Sequence, residues 1–252
     1  MIKTGNYVHI APGVELGEDV TIGDFTIIHS GVTIGDRTRI GTHCVIGEPC
    51  NVNMKTRVAA NPWFKQFVMP AECVIGEDSI INSHATIQSH VRLGKRFVLG
   101  SYAMVRGHAS VGDYTTLATR GLMQCAVKVG RNNHFSAGTI ITSSMIVKDG
   151  CFTGGYVLFS ENKYLIFDYA RVKGPIIENY VRIGNLASII GDVVVGEYSI
   201  IGGSAIITKD VPPRMVAVGI NNYRRTVTDE EVQEYLQTVR HRAPQSQASD
   251  LQ

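Results

Sequence analysis

Aliphatic residues recur along this chain at every sixth position, with very few breaks. From Ile10 the step lands on Leu16, Ile22, Ile28, Ile34, Ile40 and Ile46. It resumes at Ile75 and holds through Phe159, where only Thr153 is polar, and it returns from Ile177 to Ile207. Two residues before most of these sits a small or β-branched residue, as at Val20, Thr26, Ala85, Ala103 and Thr115; Phe97 and Asn133 are exceptions. Glycine often follows the aliphatic position, as at Gly17, Gly76, Gly94, Gly112 and Gly196. An amphipathic helix would space its apolar residues three and four apart, and a hairpin sheet would show turn dipeptides at irregular intervals. A strict six means a short strand plus a turn, and three such units close one triangular coil of about eighteen residues. The pattern predicts an all-β chain wound as a parallel β-helix, with aliphatic residues filling the coil and glycines relieving backbone strain at its corners.

Two insertions break the register. The first, residues 48–73, contains Asn61-Pro62-Trp63-Phe64-Lys65-Gln66-Phe67-Val68-Met69-Pro70. Its prolines resist regular structure, while the only tryptophan and two phenylalanines require burial. Packing on a neighbouring subunit, roofing a ligand cleft, or packing on its own coil would each satisfy that need. The second insertion, residues 160–175, is long for a compact repeat, and such loops are often functional. The repeat, with both loops, is expected to occupy residues 1–219. An extension over 220–242 follows, in which Thr228-Asp229-Glu230-Glu231 forms a capping box and Val232, Tyr235, Leu236 and Val239 form the apolar stripe of a short helix. Residues 243–252 are polar and are expected to be a disordered tail.

Composition narrows the function classes. The balance of 24 Lys plus Arg against 22 Asp plus Glu lacks the basic excess of a general phosphate-backbone binder, so no nucleic-acid partner is expected. No apolar run approaches the roughly 20 residues needed to span a bilayer, so no membrane partner is expected either. Five cysteines without a CxxC pair suggest neither a disulfide framework nor a zinc site. Reduced, mostly buried thiols in a cytoplasmic protein follow, with no metal.

Residues eighteen apart should share a corner on successive coils. His84, Tyr102 and Arg120 stack in this way, beside Ser83 and Ser101, and His90 and His108 stack on another corner. Lys95, Asp113, Arg131 and Asp149 alternate in sign and read as a solvated salt ladder.

These repeats resemble the hexapeptide-repeat transferase superfamily, whose unit is [Ile/Leu/Val]-Gly-x-x-[small]-x. The resemblance spans about residues 8 to 219 and implies a left-handed β-helix that assembles as a homotrimer and transfers acyl groups from CoA or carrier-protein donors. Within it, Ile75-Gly-Glu-Asp-Ser-Ile-Ile-Asn-Ser83, Ile87-Gln-Ser89 and Val105-Arg106 are similar to nucleotide-linked amino-sugar N-acyltransferases. That match puts Ser83 on the family serine and Arg106 on its arginine, Ser101 where the family has histidine and Gly107 where it has glutamate. The second insertion also resembles the loop that follows Phe-x-Asn-Asp in hexapeptide sugar acetyltransferases.

The implied reaction is acylation of the amino group of a nucleotide-linked amino sugar, with acetyl-CoA or another acyl-CoA as co-substrate. A base must accept the proton released when an amine attacks a thioester, and His108, His84 and His90 are the catalytic candidates; packing in a trimer interface is their other reading. Ser83, Ser101, Tyr102, Arg106, Arg120 and His134 are the acceptor-side candidates. The stretch from Ile201 to Gly219 is close to the superfamily's C-terminal signature. It places Gly191, Gly203, Lys209, Arg214 and Arg224, with Arg225, near the donor, where the basic side chains would meet phosphates or serve as ordinary surface charge. Three alternatives remain: a non-catalytic β-helix for binding or assembly, an O-acyltransferase on another hydroxyl acceptor or a lipid-A-type precursor, and a zinc carbonic anhydrase on the same fold. His84, His90 and His108 do not match the ligand spacing of the last.

Overall fold

The computed structural model of the protein describes residues 1–163, 169–220 and 222–240. The chain winds as a left-handed parallel β-helix. Strands of two to five residues lie in three parallel sheets of 12, 10 and 9 strands, each strand bonded to its counterpart one coil away. Among the described residues only the final strand of the first sheet, Asn222–Thr226, runs antiparallel, on Met215–Val218.

The six-residue period divides among the three sheets, so each inward aliphatic stacks on the one a full coil later. Ile81, Leu99, Leu117, Phe135, Thr153, Ile183 and Ile201 form one such file, paired register by register. Both insertions leave the register intact, since Ile46 pairs with Ile87 and Phe159 with Ile189. All of these residues except Thr153 belong to one continuous apolar core. Thr153 is tolerated because its hydroxyl lies 3.2 Å from that of Thr139 and accepts from the Ser136 N–H. The smaller inward residues are often threonine for a related reason. Thr26 donates to the Gly41 carbonyl at 2.9 Å and accepts from the Cys44 N–H, satisfying backbone groups in the next coil.

Gly47 takes the positive φ expected at a corner, at 77°, but most of the glycines that follow the aliphatic position act differently. Most corner residues of positive φ carry side chains, at +53° to +62°, His84, Tyr102 and Arg120 among them. Gly76 and Gly112 have no such φ. They are needed because coils approach closely: a Cβ would lie 2.5 Å from the Gly94 carbonyl carbon in one case and 2.7 Å from that of Gly130 in the other. The presumed salt ladder is also more than an ion-pair row. Asp113 and Asp149 each accept a backbone N–H from the coil before, that of Lys95 and that of Arg131, at 2.9 Å. Arg131 approaches the Asp149 carboxylate at 3.4 Å in addition.

The first insertion is more regular than its prolines suggested. It forms α1 (Met54–Ala60), capped by the Asn53 side chain, and a 3-10 helix (Pro62–Phe67) capped by Asn61. Pro62 occupies the first turn, where the missing N–H costs nothing. Phe64 and Phe67 are fully buried with Met54 against Ala126 of the coil and Val172 of the second insertion. Trp63 donates its indole N–H to the Ser144 carbonyl. This insertion therefore packs on its own coil.

At the other end, α2 (Asp229–Arg240) opens with the reciprocal capping bonds Glu231 N–H to Thr228 Oγ1 and Thr228 N–H to Glu231 Oε2. Val232 is buried, and the Tyr235 hydroxyl donates to the Gly150 carbonyl. The sequence pattern did not disclose the antiparallel strand before α2. Residues 164–168, the side chain of Val239 and the expected tail lie outside the described residues. No helix among the described residues is long and apolar enough to cross a membrane. Ile87→Ala, at the fully buried centre of this stack, should cost about 2–5 kcal/mol, read as a lower urea midpoint with the β-sheet circular-dichroism signal unchanged before the transition.

Candidate active-site surface

The catalytic candidates and most acceptor-side candidates fall on two corners that flank the 10-stranded sheet. On the first, between that sheet and the 12-stranded one, His84 stacks on Tyr102 with centroids 4.6 Å apart and planes within 1°. The stack continues across the insertion to His43 at 4.9 Å, then to Phe25 and Tyr7. Arg120 occupies the next coil of this corner, at φ 57°. His84, His43 and Arg120 are exposed, as are Tyr102 (60%) and Tyr7 (80%). Ser83 Oγ accepts the Thr42 N–H at 3.2 Å, and the Ser101 carbonyl accepts the Arg120 N–H. The file from Tyr7 to His43 was missed in the sequence because the insertion interrupts the eighteen-residue step. Carrying the register across it would have aligned His43 with His84.

On the second corner, His90 and His108 stack at 4.3 Å beneath the first insertion. The His108 Nδ1 accepts the Met69 N–H at 3.2 Å, and the His90 Nδ1–H donates to the Met69 carbonyl at 3.1 Å. These bonds give the two rings opposite tautomers and pin the loop at one residue. Burial, with the His90 ring and Arg57 nearby, pulls the His108 pKa down to about 4. Arg106 donates to Gln124 at 2.7 Å, and Gln88 accepts the Gly107 N–H. Gly107 itself is covered. A Cβ there would meet the Cys50 sulfur at 2.2 Å, so the place of the expected glutamate is filled from the insertion. His134 lies on neither corner; it sits in the 12-stranded sheet, stacked on Phe152 at 5.5 Å.

The donor candidates are scattered around the C-terminal coils. Gly191 permits close passage of the second insertion, since a Cβ would come within 2.7 Å of the Glu161 carbonyl oxygen. Gly203 is less crowded, with the Asn185 carbonyl at 3.3 Å. Lys209 is exposed. Arg214 is ion-paired with Asp229 and lies over the Tyr198 ring, and Arg225 forms a two-pronged pair with Glu231 at 2.7 and 2.8 Å. The start of α2 thus supplies both arginines with carboxylates. The Arg224 side chain lies outside the described residues. A cavity of about 450 Å³ opens between the two insertions, lined by Asn61, Trp63, Arg171, Val172, Lys173 and Asp192.

Comparison with known proteins agrees with this winding. The family model described as bacterial transferase hexapeptide, six repeats, matches residues 174–209, and that of the GMPPB C-terminal domain matches residues 24–128. Residues 174–209 thus match the hexapeptide repeat of the first of these family models. Among solved structures, LpxA, a UDP-N-acetylglucosamine acyltransferase from Bacteroides fragilis, superposes with a TM-score of 0.55 at 17% identity, over 96% of this chain and 79% of that one. That likeness establishes the fold. A weaker match, with a TM-score of 0.41 at 14% identity over 65% of this chain and 90% of that one, is AntD, an N-acyltransferase from Bacillus cereus in complex with dTDP and Coenzyme A. No curated protein matches in sequence.

The buried histidine of this β-helix makes stability depend on pH. Because the folded His108 pKa lies below the usual 6.5, the unfolded chain binds this proton first. The contribution is complete above that value, declines as pH falls toward about 4, and is level below. His108→Asn should flatten this part of the profile, measured as the difference in urea midpoint between variant and parent across that range.

Proposed function

We propose that the protein is an acyl-CoA-dependent acyltransferase that N-acylates the amino group of a nucleotide-linked amino sugar, working as a homotrimer in the cytoplasm. The observation that carries this reading is the bare corner of stacked rings, where a histidine, a tyrosine and an arginine lie side by side on an open surface. His84 is the base: exposed, with its ring plane fixed from both sides by His43 and Tyr102. It takes the proton as the sugar amine attacks the thioester carbonyl and the CoA thiolate leaves. Fixed orientation of amine and thioester supplies much of the remaining rate. Ser83, Ser101 and Arg120 line the same corner for the acceptor. His90 and His108 anchor the first insertion, and the low basicity of His108 makes it a poor proton acceptor at neutral pH. Arg106 and His134 lie apart from this corner and are left without a role in it. Gly191, Gly203, Lys209 and Arg224 remain the donor candidates, Lys209 as the charge for CoA phosphate.

Trimer formation is supported by where apolar surface is left uncovered. Tyr7, Phe25, Tyr102, Tyr156 and Leu186 are exposed along this corner, and Ile10, Ile27, Leu158 and Ile206 on the adjoining 10-stranded sheet. A monomer rarely leaves so many large apolar side chains to water on one face. The superfamily resemblance and the acyltransferase names of the structural relatives point to the same chemistry. One observation favours a non-catalytic binding protein instead: the position of the family glutamate is filled by Cys50.

Release of free CoA thiol, followed with several acyl-CoAs against UDP- and dTDP-linked amino sugars, separates these readings. Turnover is expected with at least one pair, and His84→Ala should lower kcat about a hundredfold or more with the KM for acyl-CoA little changed. Lys209→Ala should instead raise that KM. No thiol release from any pair, together with no thermal stabilisation by millimolar CoA, would establish the binding-protein reading.

A further inference from the structure

Cys50 lies across three coils at the start of the first insertion. Its N–H donates to Ser89 Oγ at 3.0 Å, and its sulfur presses against Gly107. The Cys125 thiol is the group that acts most strongly on that sulfur, ahead of the backbone at Val52 and Gly107. Ser89, Gly107 and Cys125 hold the same position on successive coils, and the missing side chain at Gly107 leaves the space that the Cys50 sulfur fills, one coil before Cys125. The other cysteines sit in different surroundings. Cys44, Cys73, Cys125 and Cys151 are buried, whereas Cys50 is partly exposed. Burial pushes the Cys73 and Cys151 thiols up to about 12. The surroundings of Cys50, the neighbouring Cys125 thiol foremost, move it the other way and favour its thiolate, while the same proximity raises Cys125. The charged or titratable groups facing the pair are His90 on the corner, Arg106 on the coil and Arg57 of α1.

We propose that Cys50 and Cys125 are an oxidation site that closes to a disulfide and fastens the first insertion to the coil. The oxidant is a hydroperoxide. The Cys50 thiolate attacks one peroxide oxygen, the O–O bond breaks, and a sulfenic acid forms on Cys50 as hydroxide or alkoxide leaves. Cys125 then attacks the sulfenic sulfur, giving up its proton, and the hydroxyl leaves as water. Two thiols and one hydroperoxide thus become one disulfide, one water and one alcohol or second water. Both electrons pass from sulfur to the peroxide oxygen. A small dithiol reverses the bond by exchange. The consequence is mechanical. The insertion that carries Met69, and with it the hydrogen bonds to His90 and His108, becomes covalently tied to the coil. The site is independent of the acyl-transfer reading and stands or falls apart from it.

The test treats the reduced full-length chain with near-equimolar hydrogen peroxide, blocks remaining thiols by alkylation and maps unreduced peptides by mass spectrometry. The expected first product is a peptide pair joined through Cys50 and Cys125, lost on reduction, in a chain whose insertion resists proteolysis longer than the reduced form. Cys125→Ser should stop at a Cys50 sulfenic acid that dimedone traps, and Cys50→Ser should slow oxidation of the chain by about tenfold or more. Oxidation of the parent to intermolecular disulfides or to a Cys50 sulfinic acid, or no reaction at Cys50, would overturn the proposal. The parent chain alone decides this, whether or not the serine variants fold.

Discussion

Everything in this molecule depends on how closely one coil lies on the next. Each short strand has its hydrogen-bonding partners one turn away in the chain. An inward aliphatic at every sixth residue makes that stacking favourable by removing a continuous file of side chains from water. Glycine after the aliphatic is the steric condition: at Gly76 and Gly112 any side chain would collide with backbone of the following coil. Aspartates such as Asp113 and Asp149 then satisfy N–H groups that the winding leaves outside the sheets. Given this contact, the corners follow, and with them the rows of side chains on which any function must be built.

The same constraint explains why the two histidine-bearing corners have different fates. Both insertions leave from the 10-stranded sheet and rejoin the 9-stranded one, so they gather at the corner between them. There they bury Phe64, Phe67 and His108 and take up the polar groups of His90. The opposite corner receives no insertion and keeps its rings open to water. Five stacked aromatic and imidazole rings, followed by Arg120, form one row along this corner. A histidine held between parallel rings loses rotational freedom, which suits a group that must meet an acceptor in one orientation.

The winding was legible in the sequence because a six-residue period has no helical or hairpin explanation, and the stacking of His84 on Tyr102 and of His90 on His108 followed from it directly. What was not legible came from the places where the period stops. The first insertion places Met69 over His108 and Cys50 over Gly107, and no local pattern in residues 48–73 reveals which coil they will reach. Pro62 read as a breaker because its role at a helix start depends on Asn61 as the cap. The ion pairs of Arg214 and Arg225 depended on α2 folding back, which the antiparallel strand before it brings about.

The open ring corner is held to be both the surface where copies of the chain meet and the place where acyl transfer occurs. Sedimentation equilibrium of the wild-type chain at micromolar concentration tests this most directly. The account requires a particle of three times the 27.5 kDa protomer mass. A species that stays at the protomer mass across the concentration range would contradict it.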